Sequence, residues 1–508
     1  MKDISKLNKL TKEELVQIYL KKCEEFDQLE SKFYKLQEEH NEALKRIQLL
    51  IEKNTLNIKR LFGVKSEKTK EEKQEPINIA EKKTNHKSSG RKKGSTNFDI
   101  DYLETHVNET KYIEPEEIEQ LRCDKNVISI GENISYKVFY KPASYSVTKI
   151  ISKKYLDTKT NRFYQGLKTD PFPHSICTPE LAVNFMVNKF MYGLPYYRQA
   201  DVMFDKGLKI SRQDICNFQI RATEILRPMY DYLKLNLLNN SAHVINADET
   251  TLKVIETGKS KCYAWVYCTS FYDYPIYIYE YCKTRSRENI IDFLQGYEGY
   301  LLTDGYEGYR NLNGIENAYC WVHARRKFYE ILDTLSDELK KESVSKKIVN
   351  LIDLLFAKEA SFKKKKYGPL KICEERNKKD YLDIVDSIFS ILHNTEPEKN
   401  SALDRAFKYM LQRESGFKTF LKDGHIELSN NISERAIKPF VIDRKNFLFS
   451  NTENGAESSL IFFSLQQTAR ANNLNPVDYL IKLINILGTT NNISKELLDN
   501  LLPWKIKL

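Results

Sequence analysis

The feature that most constrains the fold of this chain is a succession of short apolar segments, two of which end in an aspartate. HVINAD (residues 243–248) and GYLLTD (299–304) are those two segments, and two further strand-like segments lie between them. Runs of this length, rich in β-branched and aromatic residues, are typical of buried strands. Because neighbouring strands lie only about 5 Å apart, Asp248 and Asp304 can converge on one point.

The order of these elements narrows the choice of fold. KCYAWVYC and YPIYIYEYC read as the second and third strands, RENIIDFLQG as a helix, and NAYCWVHARRKFYEIL as a fifth strand that runs into a helix. Three strands, a helix and a further strand form the opening order of a ribonuclease H-like fold. That fold places metal ligands where Asp248 and Asp304 fall.

A third acid is expected from a later helix. Glu434 lies in LSNNISERAIKPF, where Ser429, Asn430 and Asn431 supply residue types that commonly cap a helix N-terminus. This pattern places Glu434 in the first helical turn. Glu249, the neighbour of Asp248, should point to the opposite face of its strand.

Three carboxylates at one point suit phosphodiester chemistry with two metal ions. Mg²⁺ or Mn²⁺ takes oxygen ligands, and two ions about 3.5–4 Å apart stabilise the attacking and leaving oxygens. The chain has 70 acidic residues, so composition alone indicates nothing. Position at the strand ends, in the right order, is what favours Asp248, Asp304 and Glu434.

Residues 1–63 predict a long amphipathic helix. Apolar residues recur with heptad spacing, which favours a coiled coil and a homo-oligomer, although a helix packed on its own protein would share the pattern. The two series are Phe26, Phe33, His40, Ile47 and Leu29, Leu36, Ala43, Leu50. The polar, lysine-rich residues 64–99 predict a flexible linker.

Residues 100–175 predict a small β-rich module, and residues 176–240 a helical DNA-binding region. A Gly-containing turn and a capping-box pattern at Ser211 and Asp214 give the outline of a helix-turn-helix. Any three-helix bundle shares this outline. If the region reads DNA, Arg212 and Gln213 at the start of the last helix would face it.

The remaining chain divides around the acids. Residues 241–326 form the first part of the predicted core, and 327–421 an all-helical insertion. Residues 422–508 supply the last core helices and a C-terminal tail. The predicted fold class is therefore multidomain α/β.

The net charge and the cysteines indicate the partners and the cellular compartment of the chain. The net charge of +10 suits a polyanionic partner such as DNA. Nine scattered cysteines without a C-x-x-C pair indicate reduced thiols and not a disulfide framework. No apolar run reaches membrane-spanning length. We expect a cytoplasmic, nucleoid-associated protein with no membrane role.

A series of motifs, in order along nearly the whole chain, resembles transposases of the insertion-sequence-66 (IS66) family. The motifs are RLFGVKSEK, VNKFMYGLPYYRQADVMFDKGLKISRQDICNF, ADET, LLTDGYEGY, CWVHARRKF and the block from IELSNNISERAIKPF to NNLNPVDYL. The resemblance implies a DDE transposase with a ribonuclease H-like core, a helical insertion and the triad Asp248, Asp304 and Glu434. Such an enzyme releases the 3′ ends of a mobile element and joins them to target DNA.

Further residues take expected roles from this resemblance. Cys320 and His323 match the family's C-x-x-H motif, for which a structural role is favoured over half a zinc site. Basic residues beside the acids are expected to contact phosphates, although a solvated surface cation is the alternative for each. They are Arg325, Arg326, Arg435, Lys438, Arg444 and Lys445.

One departure from the family pattern concerns zinc. Members usually carry a small module with two C-x-x-C pairs, but here Asn126 occupies the position that would partner Cys123, and the second pair is absent. One thiol cannot close a structural zinc site, so we expect the module to persist without zinc. Family members commonly act with accessory proteins of the same element.

Two other functions fit parts of the sequence. An inactive DNA-binding protein derived from a transposase would need only the N-terminal helix, the linker and the helical region. A nuclease or junction resolvase could share the acidic core. Neither accounts for the whole series of motifs.

Overall fold

A computed structural model describes residues 11–62, 110, 145–150, 154–157, 162–165, 170–239 and 243–507. The chain divides into two compact units, residues 66–167 and the remainder. The architecture is mixed α/β, with a long N-terminal helix, a five-stranded mixed sheet and numerous further helices. The predicted linker and most of the predicted β module, including Cys123 and Asn126, lie outside the described residues.

The N-terminal helix α1 spans Lys12–Phe62. Thr11 and Glu14 cap its start reciprocally, since each accepts a hydrogen bond from the other's backbone N–H. Six apolar side chains of the heptad pattern are each more than half exposed. They are Phe26, Leu29, Phe33, Leu36, Ile47 and Leu50. The coiled coil stays a prediction that these exposed side chains motivate.

The other unit contains an antiparallel pair of short strands, β1 (Lys154–Asp157) and β2 (Arg162–Gln165). Lys154 lies opposite Gln165 and Asp157 opposite Arg162. Both strands lie within residues 100–175, the predicted β-rich module.

The three helices predicted after residue 176 are observed: α2 (Pro179–Phe190), α3 (Tyr196–Asp205) and α4 (Arg212–Asn239). Ser211 and Asp214 form the predicted capping box, with Ser211 N–H 2.9 Å from Asp214 Oδ2 and Asp214 N–H 3.2 Å from Ser211 Oγ. In the intervening turn Gly207 has φ +80°, a conformation that favours glycine.

The central sheet contains the five predicted strands in the predicted order along the chain, with helix α5 (Arg287–Phe293) after the third. Its spatial order is β5-β4-β3-β6-β7; the β3–β4 and β4–β5 pairs are antiparallel, and the β3–β6 and β6–β7 pairs are parallel. The strands are β3 Val244–Leu252, β4 Cys262–Thr269, β5 Tyr277–Cys282, β6 Gly299–Thr303 and β7 Ile315–Tyr319.

The prediction that the first strand ends at Asp248 is wrong, because β3 continues to Leu252. Thr250 and Thr251 carry the strand forward, opposite Ala264 and Tyr263 of β4. Threonine is β-branched and favours strands, but its polarity hides it from a search for apolar runs.

The chain between β7 and residue 421 is helical, as predicted for the insertion. Its core is rich in aromatic side chains, including buried Trp321, Phe328, Phe389, Phe417 and Phe420. Its helices are α6 Trp321–Leu332, α7 Asp337–Glu342, α8 Val344–Lys364, α9 Pro369–Arg376, α10 Lys379–Asn394, α11 Ala402–Leu411, α12 Glu414–Lys418 and the 3₁₀ turn Thr419–Leu421.

Four helices complete the fold: α13 (Asn431–Phe447), α14 (Glu453–Ala471), α15 (Pro476–Thr489) and α16 (Lys495–Asn500). Helix α14 covers the edge strand β5, where Ser464 Oγ accepts the N–H of Tyr279 at 2.8 Å and Thr468 Oγ1 that of Tyr277 at 3.0 Å. Residues four apart face the same side of a helix, so this pair satisfies backbone groups that an edge strand leaves open.

No helix within the described ranges is both long enough and apolar enough to cross a membrane.

An ion pair between two helices of the insertion also contacts the segment that follows the insertion. Arg376, 1% exposed, binds Glu359 through two parallel hydrogen bonds of 2.9 and 2.8 Å. Its remaining nitrogen donates to the carbonyls of Phe420 (2.8 Å) and Asp423 (3.1 Å). Such a fork of donors is specific to arginine.

We predict that Arg376→Ala lowers the free energy of unfolding by about 3 kcal/mol, because it leaves the partly buried Glu359 carboxylate with the Tyr381 hydroxyl but without its charged partner. Arg376→Lys should recover little of this, since lysine lacks the fork. Urea titration provides the measurement. Arg405→Ala is the matched control, because Arg405 makes only an exposed contact, to the carbonyl of Asn400. Equal unfolding midpoints for Arg376→Ala and Arg405→Ala would contradict the prediction.

Candidate active site

Two adjacent strands place Asp248 and Asp304 on the same side of the sheet, beside the C-terminal end of β6. The parallel pairing of β3 with β6 runs from Val244 to Asn246, so Asp248 lies two residues beyond its last pair. Asp304 directly follows Thr303, the last residue of β6. Because the two strands run in the same direction, both acids emerge where β6 ends.

Asp304 is held firmly by its surroundings. Its Oδ1 accepts the N–H of Tyr306 at 2.8 Å, and its carbonyl accepts the hydroxyl of Tyr409 at 2.7 Å. Gly305 follows with φ +89°, and a Cβ there would lie 3.1 Å from the Tyr409 hydroxyl and 3.2 Å from Arg413 Nε. The conformation therefore favours glycine at residue 305, and a side chain there would also crowd Tyr409 and Arg413.

Glu434 lies in the first turn of α13, as the capping pattern predicts, and its N–H donates to the carbonyl of Asn430 at 3.2 Å. Its Oε1 lies 3.7 Å from His323 Nε2, and this buried oxygen makes no hydrogen bond. On the other side of the ring, His323 Nδ1 is buried and makes no hydrogen bond. Burial lowers the pKa of His323, although Glu434 and Asp304 oppose this effect.

Asp248 lies in surroundings that disfavour its charged form. Burial raises the pKa of Asp248 to about 8, with further increases from the negative charges of Glu249, Asp304 and Glu434. The N–H of Glu249 donates to Asp248 Oδ1 at 2.9 Å and only partly offsets these effects. Burial is therefore the main reason that Asp248 favours its protonated form, and the neighbouring carboxylates add to this effect.

Glu249 has its own partners. Arg285 forms an ion pair with its carboxylate, and the Tyr309 hydroxyl donates to Oε2 at 3.0 Å. The Arg285 guanidinium also lies 3.8 Å from the centre of the Tyr306 ring. Sequence reasoning missed Arg285; its position three residues after β5, beside a predicted helix start, is the only signal that could have indicated it.

The C-x-x-H motif lies where the start of the insertion contacts the segment that follows the insertion. Cys320 Sγ accepts the N–H of Asn430 at 3.5 Å, and the N–H of Trp321 donates to the carbonyl of Leu428 at 2.8 Å. His323, one turn later on α6, faces Glu434. Burial raises the pKa of the Cys320 thiol to about 12, which favours the neutral thiol and a structural role.

The basic residues predicted to contact DNA fall into different environments. Arg325 forms a two-pronged ion pair with Asp353 (2.6 and 3.2 Å), and Arg444 donates to the Thr251 carbonyl and, at 3.3 Å, to the Thr250 hydroxyl. These two guanidiniums are thus engaged by the protein. The others named are exposed or half-buried: Arg212, Gln213, Arg326, Arg435, Lys438 and Lys445.

A cavity of about 330 Å³ opens beside Asp304. Its wall combines the acid and His323 with four basic side chains, Arg285, Arg326, Lys327 and Arg413. Lys327 Nζ lies 4.3 Å from the centre of the Tyr409 ring, and Arg413 pairs with Glu307. Glu330 also lines this cavity, and the basic side chains of its wall suit a phosphate group beside Asp304.

The donor set of this site fits hard divalent cations. Asp248, Asp304 and Glu434 offer carboxylate oxygens, the ligands that Mg²⁺ prefers. The unbonded Oε1 of Glu434 and the raised pKa of Asp248 are features that a cation would relieve.

Comparison with known proteins gives the family. The chain is 28% identical over 403 residues to the uncharacterized protein y4qI of Sinorhizobium fredii (strain NBRC 101917 / NGR234), covering 75% of this chain and 72% of that protein. It is 26% identical over 442 residues to the uncharacterized protein y4jD of the same organism, covering 82% and 84%. The family model described as "Transposase IS66 family" matches residues 174–458, more than half of the chain. The protein therefore belongs to the IS66 transposase family.

Proposed function

We propose that this protein is a DDE transposase that cuts the ends of an insertion sequence and joins the 3′-hydroxyls to target DNA. The observation that carries the proposal is geometric: Asp248 and Asp304 leave neighbouring parallel strands where β6 ends, and Glu434, in the first turn of α13, faces His323 on the wall of the cavity beside Asp304. Family membership supports the same reaction class.

The sheet supports a ribonuclease H-like core for this function. Three antiparallel strands, then a helix and two parallel strands, with the first strand at the centre, is the arrangement that the sequence order suggested. Asp248 and Asp304 lie beside the C-terminal end of β6. The helical insertion separates the second acid from the third.

In this proposal, Asp248, Asp304 and Glu434 would hold two Mg²⁺ or Mn²⁺ ions. When bound, the ions stabilise charge on the attacking and leaving oxygens of an in-line phosphodiester transfer. Tyr306 N–H and the Tyr409 hydroxyl fix Asp304, so the carboxylate presents its remaining oxygen without rearrangement. Arg326 and Lys327, on the cavity wall, would bind a phosphate beside the acids.

DNA would reach this site along exposed cations. Arg435 and Lys438 are on the exposed side of α13, and Lys445 lies in its last turn. Arg212 and Gln213 at the start of α4 would contact a separate stretch of DNA. Synapsis of two ends requires more than one chain, and the exposed apolar side chains of α1 are the proposed oligomer contact. Accessory proteins of the same element and a nucleoid-associated location belong to this proposal.

We predict that Asp304→Asn lowers metal-dependent cleavage and strand transfer by at least about a hundredfold, while DNA binding is retained. The change keeps the size of the side chain but removes the charge that would bind the cation. The measurement is gel analysis of labelled element ends with Mg²⁺ or Mn²⁺.

Asp337→Asn provides the matched control, because the same exchange there removes only an exposed contact with Lys340. Equal cleavage by Asp304→Asn and Asp337→Asn would reject the role of Asp304. If the wild-type chain binds element ends but never cuts them, even with accessory proteins, the protein is a DNA-binding relative without catalysis.

A second prediction concerns pH. In the unfolded chain the pKa of Asp248 should be about 3.9, whereas in the folded chain it is about 8. Between these values the folded state holds a proton that the unfolded state has released, so stability is greatest at low pH and falls as pH rises. In EDTA, the Tm of the wild type should therefore fall between about pH 5 and 8.

Asp248→Asn should flatten this dependence and raise the Tm at the upper pH. Added Mg²⁺ at that pH should raise the Tm of the wild type much more than that of the variant. Scanning calorimetry measures both effects. An unchanged pH dependence in Asp248→Asn would reject the charge cluster as its origin.

A further inference from the structure

A second group of metal-ligating side chains lies away from the acids. His243 precedes β3, Asp273 lies in the β4–β5 loop, and His425 lies in the segment between the insertion and α13. One nitrogen or oxygen from each lies within 4.8 Å of the others. Within the described ranges, this histidine cluster is the one group of three or more such residues that meets this spacing.

The contacts inside the histidine cluster are close. His243 Nδ1 lies 2.9 Å from Asp273 Oδ1. The rings of His243 and His425 stack with centroids 4.0 Å apart and planes only 3° from parallel. His425 is thus brought to His243 and Asp273 from more than a hundred residues away in sequence, whereas His243 and Asp273 are 30 residues apart.

Neighbouring groups orient the ligands in the manner of a metal site. His425 Nδ1 lies 2.7 Å from Asp423 Oδ1, an arrangement that leaves Nε2 as the free ring nitrogen. Asp273 Oδ2 accepts hydrogen bonds from the Ser270 hydroxyl at 2.9 Å and from the backbone N–H of His243 at 3.3 Å. Asp273 Oδ1 is therefore left for the His243 ring or for a cation. Metal-ligating histidines usually donate their other N–H to a carboxylate in this way.

We propose that His243, Asp273 and His425 bind one divalent transition-metal ion of the zinc class, with water completing the coordination. Imidazole nitrogens with a carboxylate suit Zn²⁺ and not Mg²⁺, which prefers oxygen ligands alone. This site is separate from the Cys123 module, for which the sequence predicts no zinc.

Binding requires a small rearrangement. In a tetrahedral zinc site, nitrogen and oxygen ligands at about 2.0–2.2 Å from the ion lie roughly 3.3 Å apart, slightly more than the 2.9 Å between His243 Nδ1 and Asp273 Oδ1. Two parallel rings cannot both direct lone pairs at one ion, so one ring must turn. His243, with 59% of its side chain exposed, has room to turn, whereas Asp423 holds His425.

The ion would tie the start of β3 to the segment that leads into α13. Both elements carry acids of the candidate active site, Asp248 and Glu434. Arg376 already anchors the same segment through the carbonyl of Asp423. Occupancy would therefore raise the stability of the connection between insertion and sheet.

The test is calorimetric titration of the metal-free full-length chain with Zn²⁺, in excess Mg²⁺ so that oxygen-only sites are filled. We expect one Zn²⁺ per chain with micromolar or tighter affinity, and an increase in Tm on binding. His425→Gln should weaken this binding by more than about tenfold. Co²⁺ should give a visible absorption band in the wild type that His425→Gln lacks.

His393→Gln is the matched control, because His393 also pairs with a carboxylate, Glu414 at 2.8 Å, but belongs to no such cluster. Equal zinc affinity in His425→Gln and His393→Gln would assign the ion to another site, and no saturable binding in the wild type would reject the proposal outright. His243→Gln, at an exposed position, repeats the test if His425→Gln folds poorly. Asp304→Asn should keep its zinc, so failure here and failure of the proposed function are distinguishable.

Discussion

The arrangement of this protein depends on keeping the carboxyl group of Asp248 buried near other acidic side chains, surroundings that disfavour its charged form. Burial is the main cause of its raised pKa, and the charges of Glu249, Asp304 and Glu434 add to it, while Arg285 pairs with Glu249 and Arg413 with Glu307. The remaining scaffold must therefore supply the free energy that keeps Asp248 in these surroundings. It does so with a sheet, whose backbone hydrogen bonds fix Asp248 beside the end of β6, and with α13, which presents Glu434 in its first turn.

The helical insertion matters to this geometry because it separates the second acid from the third. Its two ends close on each other: Cys320 accepts the N–H of Asn430, and the N–H of Trp321 donates to the carbonyl of Leu428. The residues of the first pair are 110 positions apart. Trp321 is at once the first residue of α6 and part of the insertion's aromatic core. Packing inside the insertion consequently stabilises the junction from which His323 faces Glu434.

The sequence was sufficient for the order of the strands and for the placement of Glu434 in the first turn of its helix, because apolar strand patterns and the residue types at helix starts are local signals. It was insufficient wherever a tertiary partner decides the outcome. The extension of β3 rests on pairing of Thr250 and Thr251 with β4. Basic residues next to the acids in sequence invited the prediction of phosphate contacts, yet Arg325 binds Asp353 and Arg444 binds β3. A list of charges along the chain does not reveal which side chain already has a partner within the protein.

The helices predicted to bind DNA are connected to the central sheet through polar contacts with α14. Gln219 of α4 donates to the hydroxyls of Ser458 (2.9 Å) and Ser459 (3.3 Å) on α14, and Thr223 lies 2.7 Å from Ser458 Oγ. These contacts are buried, so breaking them would leave polar groups without partners. Helix α14 in turn bonds the backbone of β5 through Ser464 and Thr468. A chain of buried polar contacts thus links α4 to the sheet that carries Asp248. Any DNA held by Arg212 and Gln213 would consequently lie in a fixed position relative to the acids, as accurate cutting at one phosphodiester requires.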